Sequence, residues 1–200
     1  MNRRHRAFSL LELVAVVAIL GVLLAVLVPG LATVRTAVAR ARTLAMFHQW
    51  SLACAEFRLE YGLAPQWAAE PRLTTVEHTA AFLRCLTGRE PDGRAVADVA
   101  ALGGNRRRLA FLLVGLGDLR EGRLADAFGN TEIGVLLDRD GDGWIRPGAD
   151  GALVGVMSRD GTGPFVPEAA DLPAEGVRAA AIFYSAGRGR DARDLILSWR

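Results

Sequence analysis

The sequence predicts an α+β chain: a long N-terminal membrane-spanning α-helix packed on a small antiparallel β-sheet domain. Three observations carry this. An apolar run extends from Ala7 to Gly30, apolar residues then recur at spacings of three and four as far as Tyr61, and from residue 124 short apolar segments alternate with Gly and Asp. The first two patterns are helical and the third is that of short strands between turns.

The apolar run comes first. From Leu13 to Val28 every residue is apolar or Gly, and extending the run back to Phe8 adds only Ser9 and Glu12 as interruptions. A helix over Phe8–Val28 is about 30 Å long, the thickness of a bilayer's hydrocarbon core. Arg3, Arg4 and Arg6 flank it on one side, so the positive-inside rule keeps the N-terminus cytoplasmic and sends the rest outward. Glu12 is the anomaly. A carboxylate inside an apolar helix costs about 2.5–3.5 kcal/mol on insertion, so it calls for a function and a named partner.

The basic leader MNRRHR, the small Ala7 and then FSLLEL running into an apolar helix resemble the processing site of type IV prepilins and type II secretion pseudopilins. The resemblance implies cleavage by a prepilin peptidase between Ala7 and Phe8, followed by methylation of the new Phe8 amine. It makes Glu12, fifth from that terminus, the assembly glutamate, and Pro29 the proline that loosens the helix. One departure is the residue before the cut, usually Gly and here Ala7. The resemblance also supplies Glu12 with a partner. In a filament it neutralises the Phe8 amine of a neighbouring subunit, since both charges are costly when buried alone.

Beyond Pro29–Gly30 the helical pattern resumes. Leu31, Val34, Val38, Ala41, Ala45, His48, Leu52, Ala55 and Leu59 form one stripe, suited to packing against other helices. Phe47, Trp50, Cys54, Phe57 and Tyr61 form a second, suited to burial under a sheet. Gly62 and Pro65 supply the stop. A helix over Phe8–Tyr61 would be roughly 80 Å long, which fits a filament stalk. Thr74-Thr-Val-Glu77 reads as a capping box opening a short helix, with Gly88 after its end. Leu109–Val114 is a buried strand or a short helix, and periodicity does not choose. Strands are expected near Glu132–Leu137, Ala152–Ser158, Arg178–Tyr184 and Asp194–Trp199. AAFLRCLTGRE (80–90), DAFGN (126–130) and the ending AIFYSAGRGRDARDLILSW (181–199) resemble the helix-turn, sheet-opening turn and closing loop of pseudopilins.

Composition sets limits. Removing Arg3, Arg4 and Arg6 takes the formal charge from +2 to −1, so the mature chain is not basic. All 24 basic residues are Arg, and Arg106–Arg107–Arg108 is the only dense cluster. A solvated face or sheet-edge guard explains it, and a nucleic-acid partner is not expected. Cys54 and Cys85, in an oxidising compartment, suit either a disulfide contributing roughly 3–4 kcal/mol or two buried free thiols.

Two acidic loops are candidates for calcium. In DRDGDGWIRPGAD, Asp138, Asp140 and Asp142 alternate on a glycine-bearing turn, as in the first half of an EF-hand loop. Position twelve is Ala149, and the available acid is Asp150. A solvated Asp-Gly hairpin is the alternative. The second loop is the one before the last strand, which binds calcium in pseudopilins by resemblance. It retains Asp191 and Asp194 but interleaves Arg188, Arg190 and Arg193, which oppose a divalent cation and suit Arg–Asp pairing instead. No catalytic motif is apparent, so an enzyme is not expected.

The expected organisation is a leader over 1–7, a transmembrane and stalk helix over 8–61, and an exported globular α+β domain over 62–200. The expected role is a pilin-like subunit of a type II secretion or type IV pilus-like filament. Its partners would be the prepilin peptidase, other pilins and an inner-membrane assembly platform. It would sit as a single-pass protein of the bacterial inner membrane with a periplasmic C-terminal domain, then in a filament. The rivals are an exported calcium-binding domain freed by ordinary signal peptidase, for which Gly30-Leu-Ala32 offers a small-x-small site, and a membrane-tethered module that never polymerises.

Overall fold

The computed structural model describes residues 10–67 and 71–200, leaving aside the side chains at 24, 26–30, 116 and 169. Helix α1 runs without a break over Leu10–Tyr61, 52 residues, and its backbone stays helical through Pro29 and Gly30. It ends where the sequence places a stop: Gly62 has φ +70° and its amide donates to Arg58 O at 2.8 Å, a left-handed C-terminal cap.

The chain divides into two compact units, Met1–Val38 and Ala39–Arg200. In the first, the described part is helix with its apolar side chains exposed, Leu10, Leu11, Val17 and Ile19 among them. Among the described residues no helix is long and apolar enough to cross a membrane; the side chains at 24 and 26–30, inside the run that the sequence singles out, lie outside that set.

The second unit is built on a four-stranded antiparallel sheet. Strands β1 (Arg72–Leu73), β4 (Ile133–Leu137), β5 (Ala181–Ser185) and β6 (Ile196–Leu197) lie in that order. A separate hairpin joins β2 (Leu119–Arg120) to β3 (Arg123–Leu124). Helix α2 (Val76–Thr87) carries the short helical segment expected after residue 74. Its N-cap is Thr75, whose side chain accepts from His78 N, so the box expected at Thr74–Glu77 is displaced by one residue. Gly88, in the left-handed region, closes it as expected.

Both faces of the sheet are buried, which explains why β4 and β5 read as unbroken apolar runs rather than alternating ones. On one face Phe47, Trp50, Cys54 and Phe57 of α1 and Phe82 of α2 pack with Ile133, Val135 and Phe183. The Phe183 ring is the hub, with ring centroids of Trp50 at 5.4 Å, Phe47 at 6.0 Å and Phe82 at 6.3 Å. The second stripe of α1 is therefore the core stripe.

On the other face Leu136, Ile182 and Tyr184 pack with Ile145 and Val156 from the long segment between β4 and β5. That segment corrects the expectation of a strand at Ala152–Ser158, where only an isolated bridge, Val156 to Phe165, is formed. Side chains replace the ladder there. The Tyr184 hydroxyl donates to Val154 O and accepts from Val154 N, both at 2.8 Å, and Glu132 accepts from Met157 N. Burial pushes the Tyr184 phenol up to about 12. Its ring lies over its cross-strand partner Gly134, where an added Cβ would fall 2.1 Å from Tyr184 Cζ.

Leu109–Val114 is neither strand nor helix. Its backbone is tied back to the end of α2, with Phe111 N and Leu112 N both donating to Leu86 O, and Phe111 packs on Phe57 and Tyr61. Cys54 and Cys85 are buried free thiols, so the disulfide expected as one alternative is not formed. Burial raises both thiols, Cys85 to about 12, and Cys85 raises Cys54 further.

Candidate functional site

The sequence singles out an N-terminal processing site and two acidic loops. Ala7 and Phe8 lie outside the described residues. Glu12 is in the first turn of α1, where the helix dipole favours a carboxylate. Pro29 lies within α1, its side chain outside the described set.

The Asp138 loop leaves the end of β4. Gly141 and Gly143, at φ +83° and +88°, supply left-handed turns that L side chains resist. They let the chain fold back so that Asp138 accepts from both their amides, Gly141 N to Oδ1 and Gly143 N to Oδ2, each at 2.8 Å. Asp150 closes the loop. Its Oδ1 accepts from Arg139 N at 3.0 Å and its Oδ2 from Arg146 N at 2.8 Å. One carboxylate oxygen from each of Asp138, Asp140 and Asp150 lies within 4.8 Å of the others. Asp142, the fourth expected member, is not in that group. Trp144 N donates to its Oδ1, and its Oδ2 pairs with Arg146, whose guanidinium holds the carboxyl below the usual carboxylate range.

The residue that sequence reasoning missed is Arg58. From the last turn of α1 its Nη1 pairs with Asp138 Oδ2 and its Nη2 donates to Gly141 O. Asp138 has no exposed side-chain surface. Arg58, Asp138 and Asp140 line an open cleft of about 810 Å³ together with Gln66 and Trp67. Arg58 falls outside both apolar stripes and sits eighty positions from Asp138, so no local signal could connect the two.

In the second loop Asp191 and Asp194 each make local hydrogen bonds. Asp191 caps a short 3-10 turn through Arg193 N. Asp194 accepts from Arg190 N and Nε at 3.1 Å, and this pairing lowers its carboxyl from the usual range. Arg–Asp pairing, one of the expected alternatives, is present in this loop.

A third acidic group joins these parts. Asp126 Oδ1 accepts from Phe128 N and Asn130 N, and its Oδ2 from Asn130 Nδ2 and Ser185 Oγ, at 2.7–2.9 Å. Burial pushes its carboxyl up, and the hydrogen bonds from Ser185 and Asn130 oppose that shift. Asn130 Nδ2 also reaches Gly187 O, fixing the last loop to this turn, and Ala127 N reaches Thr43 Oγ1 of α1. The phrase DAFGN thus works as a structural pin. Of the three arginines at 106–108, Arg107 pairs with Glu60 and Arg108 donates to Val96 O, consistent with a solvated cluster tied to the domain.

No curated protein and no solved structure matches this chain. Residues 2–28 match the family described as the Prokaryotic N-terminal methylation motif. The chain therefore carries, in front of and into α1, the prepilin-cleavage signature of type IV pilins and pseudopilins.

Proposed function

We propose that the chain is a pilin-like structural subunit of a type II secretion or type IV pilus-like filament. The methylation motif over residues 2–28 is the observation that carries this reading. In it, a prepilin peptidase cuts after Ala7 and the Phe8 amine is methylated. The apolar run that follows Phe8 holds the subunit in the bacterial inner membrane, its C-terminal domain periplasmic, until an assembly platform extracts it into the filament. Glu12 then pairs with the Phe8 amine of a neighbour, so that neither charge is buried alone.

The continuous helix α1 supports the reading, as does its exposed apolar surface. Leu31, Val34 and Val38 in the first unit, and Leu52 and Leu59 in the second, are all exposed. These belong to the stripe that the sequence assigns to packing against other helices, and sister pilins are the partners that would cover it.

The test is co-expression with a prepilin peptidase and the assembly machinery, followed by mass spectrometry. The expected mature chain begins at N-methylated Phe8, and Glu12→Leu is expected to be processed but to remain unassembled in the membrane. The chain has no Lys, so an amine-reactive reagent reports on the N-terminus alone. A soluble chain beginning at Thr33 would replace this reading with the signal-peptidase one. Normal filaments from processed Glu12→Leu would remove the pairing argument and leave the subunit assignment standing.

A further inference from the structure

We propose that the cation of the Asp138–Asp150 loop is the guanidinium of Arg58, seated where a loop of this composition would hold a divalent metal ion, and that it latches the loop to the last turn of α1. Nothing in this proposal depends on filament assembly.

The donor set favours it. Metal ions of the calcium type take carboxylate and backbone carbonyl oxygens together. Arg58 takes one of each, Asp138 Oδ2 and Gly141 O, through its two terminal nitrogens. A planar guanidinium fits two such acceptors side by side, which a single ammonium point charge does not. Asp138 is fully buried on its side chain, where an uncompensated charge is costly, and the Arg58 guanidinium supplies the opposite charge.

The other loop carboxylates accept hydrogen bonds within the loop. Both oxygens of Asp150 accept backbone amides, both oxygens of Asp142 are engaged, and Asp140 Oδ1 accepts from Asp142 N. Each of these oxygens keeps a second lone pair, but a divalent ion can take Asp138 Oδ2 and Gly141 O only if Arg58 withdraws. Such an ion, beside the cleft, must compete with a charge already tethered to the fold. The second acidic loop repeats the substitution independently, with Arg190 on Asp194.

The experiment uses the full chain in detergent, with thermal unfolding and calorimetric titration in calcium and in chelator. The wild type is expected to unfold at the same temperature in both and to give no binding heat at millimolar calcium. Arg58→Gln vacates the cation position. It is expected to unfold at lower temperature in chelator and to recover part or all of the loss in calcium, with the recovery abolished by adding Asp138→Asn. If Arg58→Gln fails to fold in chelator, folding restored by calcium supports the proposal, and failure in both conditions overturns it. A folded Arg58→Gln that ignores calcium also overturns it. So does a wild type stabilised by calcium through Asp138, since the loop would then be a metal site with Arg58 a bystander. Arg58→Lys keeps the charge but loses the two-point fit, and is expected to fall between wild type and Arg58→Gln in chelator.

Discussion

Two aspartate-led turns flank β4, and they hold their carboxylates by opposite means. Asp126 ahead of the strand and Asp138 behind it are both buried, and each accepts two amides of its own turn. Asp126 completes its shell with neutral donors, Asn130 and Ser185, whereas Asp138 completes its shell with Arg58. Reach explains the difference. The Asp126 turn abuts β5 and the last loop, so short side chains close the contact. The Asp138 loop stands beside an open cleft, and only a long side chain from α1 spans to it. Neutral donors complete the Asp126 turn, while a charge ties the Asp138 loop to α1.

The largest expected effect is at the neutral site. Asp126→Ala strands the amides of Phe128 and Asn130, the Asn130 side chain and the Ser185 hydroxyl, and is expected to cost about 3 kcal/mol in denaturant unfolding. Asp138→Ala is expected to cost less, about 2 kcal/mol, because Arg58 is partly exposed and regains water. Its deficit should shrink only slightly in high salt, through the partly exposed Arg58, whereas that of Asp126→Ala should not. Reversed sizes or reversed salt sensitivity would break the contrast between the two turns.

The smallest effect lies in the pH profile. Burial raises the Asp126 carboxyl in the folded chain, so its contribution is fullest below the ordinary carboxylate range and is lost as pH rises through its raised folded value. Arg190 lowers Asp194, so that contribution is present above the ordinary range and is lost as pH falls through its lowered folded value. On acidification the two act in opposite senses. Asp194→Asn is expected to flatten the acid loss of stability slightly, and Asp126→Asn to steepen it. Unfolding midpoints measured across the acid range would check both, and matching slopes would remove the distinction.

The pattern explains what could be read in advance. Helix α1 was legible because two apolar stripes and a terminal Gly are local signals, and the buried stripe of Phe47, Trp50, Cys54 and Phe57 follows from spacing alone. β4 and β5 were legible as apolar runs between turns. The segment Ala152–Ser158 has the same look but forms no strand, because it packs on a sheet face already complete and satisfies its amides with Tyr184, Glu132 and Phe165. The β2–β3 hairpin was not read, since its turn rests on Glu121 and Gly122 at positive φ rather than on an Asn-Gly pair. At the acidic loop the carboxylates were named from their spacing. Arg58 was invisible because its role is fixed only once the helix has docked.

Gly134 and Tyr184 carry a consequence for how this sequence can diverge. A β-carbon at 134 would stand 2.1 Å from the Tyr184 ring, and a smaller residue at 184 would make room but release Val154. Neither position can change first without harm. Across descendants of this fold the two are therefore expected to vary as one character, glycine staying opposite the ring, and a chain that loses the ring needing another anchor for the segment at 154.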